Sequence, residues 1–144
     1  MNPKQFLIIG GGVLLLVGVL GFVGIIGPTS IQSPFGMAWW FDNAENWAHL
    51  VLGVVGLIAA FVLPSSLQKP LVMLLGIFGL ATGIYSAMGP VTEGANLLGA
   101  QLQNPADTIL HIVVGIWALL AALKGGMTTN SSMNQPMAQP KMPM

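Results

Sequence analysis

Four long apolar runs, near residues 6–27, 44–63, 70–89 and 105–124, constrain this chain more than any other feature. Each is long enough to cross a bilayer, for which an α-helix needs roughly 17–25 residues. The charges lie at their edges. The 144 residues hold four lysines, no arginine and four acidic residues, 6% charged against 54% hydrophobic. A typical soluble domain carries about 25% charged residues, so water alone cannot be the surrounding solvent. The expected fold is all-α, a four-transmembrane-helix up-down bundle over residues 1–124. The first run exceeds the roughly 7–15 apolar residues of a signal peptide and no A-x-A-like site follows it, so it reads as a retained span.

The lysines orient the bundle. Lys4, Lys69, Lys124 and Lys141 fall on one side; Asp42, Glu45, Glu93 and Asp107 fall on the other. By the positive-inside rule both termini are cytoplasmic, in a multi-pass protein of the cell's inner (plasma) membrane. The expected surroundings are the lipid bilayer, with other membrane subunits or self-association as partners. With zero net charge and no basic patch, nucleic acid is not an expected partner. The absence of cysteine removes disulfides, thiolate metal sites and a cysteine nucleophile.

The chain also repeats itself at an offset of 62. Asp42-Asn43-Ala44-Glu45-Asn46-Trp47-Ala48-His49 aligns with Asn104-Pro105-Ala106-Asp107-Thr108-Ile109-Leu110-His111, pairing the only two histidines. Gly53 then aligns with Gly115, Gly21 with Gly83, and Gly27-Pro28 with Gly89-Pro90. The expectation is two tandem helical hairpins related by an ungapped repeat. Gly27-Pro28 and Gly89-Pro90 read as stops of spans 1 and 3. Asp42 and Asn104 read as N-caps, with Glu45 and Asp107 completing capping boxes. Pro64 and Pro70 bracket an inner turn, and Trp39, Trp40 and Trp47 read as an interfacial aromatic belt beside a short surface-lying segment. Residues 125–144, rich in Met, Gln and Pro, read as a disordered cytoplasmic tail; five methionines there are a set that could take Cu(I).

His49, Gly53, Gly56 and Ala60 share one helix face, as do His111, Gly115, Ala118 and Ala122. Small-residue stripes are the usual contact between membrane helices. Both histidines should therefore point into the bundle, roughly 10 Å below the outer helix starts. Three uses follow. The pair can be a polar packing centre, with Glu45 and Asp107 serving only as caps. The two imidazoles can face each other across the bundle as axial ligands of a haem, or each hold a chlorin, with Gly53 and Gly115 giving clearance or packing; no arginine is present for propionates. Or His49, His111, Glu45 and Asp107 can form a metal site. No span carries a charge at its middle, where pumps and proton-coupled carriers usually have one. No nucleophile–base arrangement, P-loop or H-E-x-x-H is present, so no catalytic residue is assigned and a structural or accessory subunit without enzymatic activity is the expected role.

Gly18-x-x-Gly21-Phe22, Asn46-x-x-His49-x-x-x-Gly53 and Asp107-x-x-x-His111-x-x-x-Gly115 resemble a bacterial domain-of-unknown-function family of small four-helix integral membrane proteins. The resemblance runs from residue 6 to about 124. It implies a four-helix membrane fold with a histidine in spans 2 and 4, and no activity.

Overall fold

The computed structural model describes residues 1–91 and 94–127, with side chains to residue 124. Residues 125–127 of the expected tail belong to the last helix; the rest of the tail, with its other four methionines and Lys141, and the placement of Glu93 lie outside the described residues. Four helices dominate: α1 (Pro3–Phe22), α2 (Asn43–Val62), α3 (Ser65–Ala87) and α4 (Ala106–Met127). All four are long and apolar enough to cross a membrane. On α2, the large side chains Val51, Val54, Val55, Ile58, Phe61 and Val62 point outward, as a lipid-facing surface requires.

The helices pair as two antiparallel hairpins, and each seam is made of backbone against backbone. A Cβ added at Gly53 would lie 2.6 Å from the Leu15 amide nitrogen and 2.8 Å from the Gly11 carbonyl oxygen. One at Gly115 would lie 2.8 Å from the Leu80 nitrogen and 2.9 Å from the Gly76 oxygen. Lipid supplies no hydrophobic drive between helices, so this close approach, with its dispersion contacts, is what holds them together. The small-residue faces of α2 and α4 thus rest on α1 and α3 respectively, rather than on each other along their length. Contact between hairpins is sparser and runs chiefly from α1 to α3 and α4. It is firmest at the lysine end, where Phe6, Leu7, Ala60, Val72, Ala118 and Ala122 form a buried cluster and Phe6 meets Trp117 edge-on at 4.7 Å.

The helix ends differ from expectation in instructive ways. α1 stops at Phe22 because Gly24, with φ +80°, turns the chain in the left-handed region. Ile25 N donates to Leu20 O at 3.0 Å and Gly24 N to Gly21 O at 3.4 Å, the two bonds of a Schellman ending. Gly27 is a glycine for another reason: a side chain there would strike the Phe41 carbonyl. The inner turn is only Leu63-Pro64. Pro70 lies inside α3, and Gln68 Nε2 closes the turn by donating to Ala60 O (3.1 Å) and Leu63 O (2.9 Å). Part of the loop after α3 is regular. Ala95–Leu97 (β1) and Ala100–Leu102 (β2) form an antiparallel hairpin with Leu97 opposite Ala100. Leu98 and Gly99 both have positive φ, 54° and 97°, as the primed two-residue turns of hairpins demand.

Equivalent contacts also shift the internal alignment. Gly18 abuts Asn46 O and Leu50 N, while Gly83 abuts Thr108 O and Ile112 N. The contacted positions on α2 and α4 lie 62 residues apart and the contacting positions on α1 and α3 lie 65 apart, so Gly83 makes the contacts of Gly18 rather than of Gly21. The ends agree, since Phe22 and Ala87 close α1 and α3. The chain between matching positions is three residues shorter in the second hairpin, two of them in the loop between α3 and α4.

Gly53→Ala should cost about 1–3 kcal/mol, the usual range for forced overpacking. Gly12→Ala meets nothing within 4 Å and should be neutral or stabilising, since Ala outranks Gly in a helix by about 1 kcal/mol. Unfolding titrations of the two proteins in detergent check the contrast.

Candidate functional site

The polar side chains collect at the end opposite the lysines, and most are held by caps. Asp42 ends the approach to α2: its Oδ1 accepts from Glu45 N at 2.9 Å, and Glu45 Oε2 accepts from Asp42 N at 3.2 Å. This is the expected capping box. Asp42 Oδ2 also accepts from Gln101 N of β2 at 2.7 Å, tying the start of α2 to the second hairpin's loop. The start of α4 is built otherwise. Asn104 does not cap it; its Nδ2 donates to Gly89 O at 2.9 Å, drawn to a carbonyl left free at the end of α3. Asp107 reaches back to Gln103 N, and its Oδ1 accepts from Trp39 Nε1 at 3.0 Å. Trp39 is therefore a strut between loop 28–42 and α4, flanked by Phe35 and Phe41, and not only an interfacial anchor. Trp47 keeps the lipid-facing role, 57% exposed.

Two further bonds join the layers. Thr108 Oγ1 donates to Ser86 Oγ at 2.9 Å, fully buried, and Tyr85 OH donates to Asn96 O of β1 at 2.7 Å. Asn46 and Gly21 occupy the places in the first hairpin that Thr108 and Ser86 hold in the second. A Cβ at Gly21 would overlap the Asn46 amide. Asn46 is completely buried, donates to Phe41 O at 3.4 Å, and has no partner for Oδ1.

Beneath this layer lies a cavity of about 400 Å³ among all four helices. His49, His111, Glu45 and Thr82 are its polar lining; Leu97, Leu98, Ala100 and Leu102 of the β hairpin border it from the loop side. Both histidines thus face one space, though no hydrogen bond joins them. Each is set differently. His111 Nδ1 donates to Asp107 O at 2.8 Å. A backbone carbonyl can only accept, so in the neutral ring the proton sits on Nδ1 and Nε2 carries a lone pair. His49 packs edge-on against Phe41 at 4.9 Å, and its buried Nδ1 has no partner. Glu45, 2% exposed, spends Oε2 on its cap and leaves Oε1 without a partner.

The proposed four-residue metal set is not assembled. Among the described residues no three His, Cys, Asp or Glu side chains come together to hold an ion. The reason is visible at Asp107, whose two oxygens are taken by Trp39 and Gln103. Gly53 and Gly115 do not clear space between the histidines either; they seat α2 on α1 and α4 on α3. The β hairpin and the Trp39 strut are the parts sequence reasoning missed. Gly99 followed by the alternation Ala100-Gln101-Leu102 was the available hairpin signal; nothing local marks Trp39 as a partner of Asp107, 68 residues on.

No protein-family model, no curated protein and no solved structure matches the chain. What it does must be argued from its own geometry.

Asp107→Ala should destabilise the fold by about 1–3 kcal/mol, because it strands two donors in a buried layer. Asp42→Ala should cost about 1 kcal/mol through its cap, whereas Glu45→Gln retains a capping-box side chain and should stay close to wild type. Denaturant midpoints of the three proteins in one detergent decide the order.

Proposed function

We propose that this chain is a non-catalytic accessory protein of the bacterial plasma membrane, built from two tandem hairpins, with the histidine-lined cavity as its working centre. The observation that carries this reading is the convergence of His49 and His111, at matching places on α2 and α4, on one cavity inside four membrane-length helices. The equivalent seams at Gly53 and Gly115 support an origin by duplication, with first helices offset by 65 and second helices by 62. Lys4, Lys69 and Lys124 lie at one end of the bundle, and Asp42, Glu45 and Asp107 lie at the other. That asymmetry favours cytoplasmic termini and an external β hairpin. Outward apolar faces on every helix leave room for lipid, another subunit or a second copy. The resemblance to small four-helix membrane proteins with a histidine in spans 2 and 4 belongs to the same reading.

A tetrapyrrole held by both histidines is the second reading, favoured by the bare Nε2 of His111 beside the cavity. Against it, no lysine among the described residues lines the cavity, and the chain has no arginine to meet propionates. The test is an absorption spectrum of protein purified in mild detergent from native membranes. The accessory reading predicts no band beyond the aromatic one, with membrane proteins co-purifying. A Soret band that sharpens on reduction and vanishes in both His49→Ala and His111→Ala would replace that reading with a haem protein; red-shifted chlorin bands would make it a pigment-binding subunit.

A further inference from the structure

We infer that the cavity binds a lipid-soluble molecule with an apolar body and a hydroxyl group, which donates its hydrogen bond at the histidine end. The inference rests on the reading of this cavity as the working centre. Its size, about 400 Å³, falls within the roughly 300–1,000 Å³ of small-molecule sites, and its wall is almost wholly Leu, Val, Phe, Gly and Ala. An apolar body matches that wall. The polar end then selects the head group. Among the described residues no lysine lines the cavity, while Glu45 does, so an anionic head would meet a carboxylate and no fixed positive charge. A cationic head would lose its hydration for a single carboxylate, and burying a charge costs far more than burying a hydroxyl.

What the polar end lacks is donors. The His111 ring has already spent Nδ1–H on the Asp107 carbonyl, leaving Nε2 as an acceptor. Thr82 lines the same space and is buried; its hydroxyl can donate one bond and accept another. Of the other lining residues, Glu45 Oε1 and His49 Nδ1 stand without partners. The His49 ring adds one N–H and one lone pair. His111 Nε2, Glu45 Oε1 and a His49 nitrogen thus stand as acceptors against the Thr82 hydroxyl and that single N–H as donors, and a ligand hydroxyl redresses the balance. A hydroxyl on an apolar frame does so without bringing a charge. The place of the cavity, inside helices of membrane length and bordered at the loop side by β1 and β2, fits a ligand drawn from the bilayer.

The experiment uses the full chain in nanodiscs and two probes of one shape, 2-naphthol and 2-methoxynaphthalene, which lacks the donor. Binding is read as saturable quenching of tryptophan fluorescence, since Trp117 lines the cavity. The expected result is tighter binding of 2-naphthol by about tenfold, the worth of one hydrogen bond near 1.4 kcal/mol. His111→Phe should bring the ratio close to one while 2-methoxynaphthalene still binds. Ala48→Phe, which places a ring in the cavity, should abolish both; Leu52→Trp, at another lining position, serves if that protein does not fold. Equal affinities in the wild type, or a ratio unmoved by His111→Phe, overturns hydroxyl recognition and leaves the cavity standing as a binding centre. No saturable quenching by either probe, with the wild type indistinguishable from the filled variants, overturns both the inference and the reading on which it rests.

Discussion

Backbone contact at glycine sets the register of this protein. Within a membrane, apolar side chains gain nothing by leaving lipid for one another, and helices associate where their axes approach closely. Gly53 on Leu15 and Gly11, and Gly115 on Leu80 and Gly76, provide that approach twice. Any side chain at either glycine would enter its partner's backbone. Once these seams are fixed, the heights of all other residues follow. Asn46 comes to rest on Gly21, Thr108 meets Ser86, and both histidines stand at the level where the hairpins diverge. The same choice creates the cavity. Because the small faces of α2 and α4 are committed within their own hairpins, bulky residues such as Phe78 and Trp117 border the space between hairpins without filling it.

The polar layer above the cavity solves a different problem. Helix starts carry free amides, and buried amides need acceptors. Asp42, Glu45 and Asp107 supply them, and Trp39 and Gln101 carry the network from one hairpin to the other. The acids that stand four residues before each histidine are thus occupied by structure. Glu45 alone keeps an oxygen in reserve, which is why it enters the argument about the cavity and Asp107 does not.

The parts legible in the sequence were those written in local pattern. Runs of apolar residues marked four membrane-length helices. Asp42 and Glu45, three apart before an apolar run, marked a capping box that the structure contains. The stripes at steps of four and three put His49 and His111 on inward faces. Other features depended on contacts that no window holds. Gly24 and Gly27 are equally good stops by residue type, yet only Gly24 turns the chain, because Gly27 is needed against Phe41. Pro70 resembled a boundary, but its place one turn into α3 keeps it inside the helix, where its missing amide removes a single bond. Asn104 looked like a cap until the end of α3 offered it Gly89 O. The offset of 62 relates the contacts on α2 and α4 but not those on α1 and α3, since loops tolerate length changes that packed seams do not.

The central claim is that α2 and α4 are seated on α1 and α3 by their glycines, which leaves the two histidines facing a shared cavity. The chain has no cysteine of its own, so paired cysteines can report proximity directly, given that a disulfide needs Cβ atoms about 3.5–4.5 Å apart. In oxidised native membranes, Gly11→Cys with Leu57→Cys should cross-link, since a Cβ at Gly11 would lie 3.1 Å from the Leu57 amide nitrogen and 3.2 Å from its Cγ. Gly53→Cys with Gly115→Cys should not, because those positions face different helices. A disulfide between positions 53 and 115 would place the two stripes against each other and contradict the account.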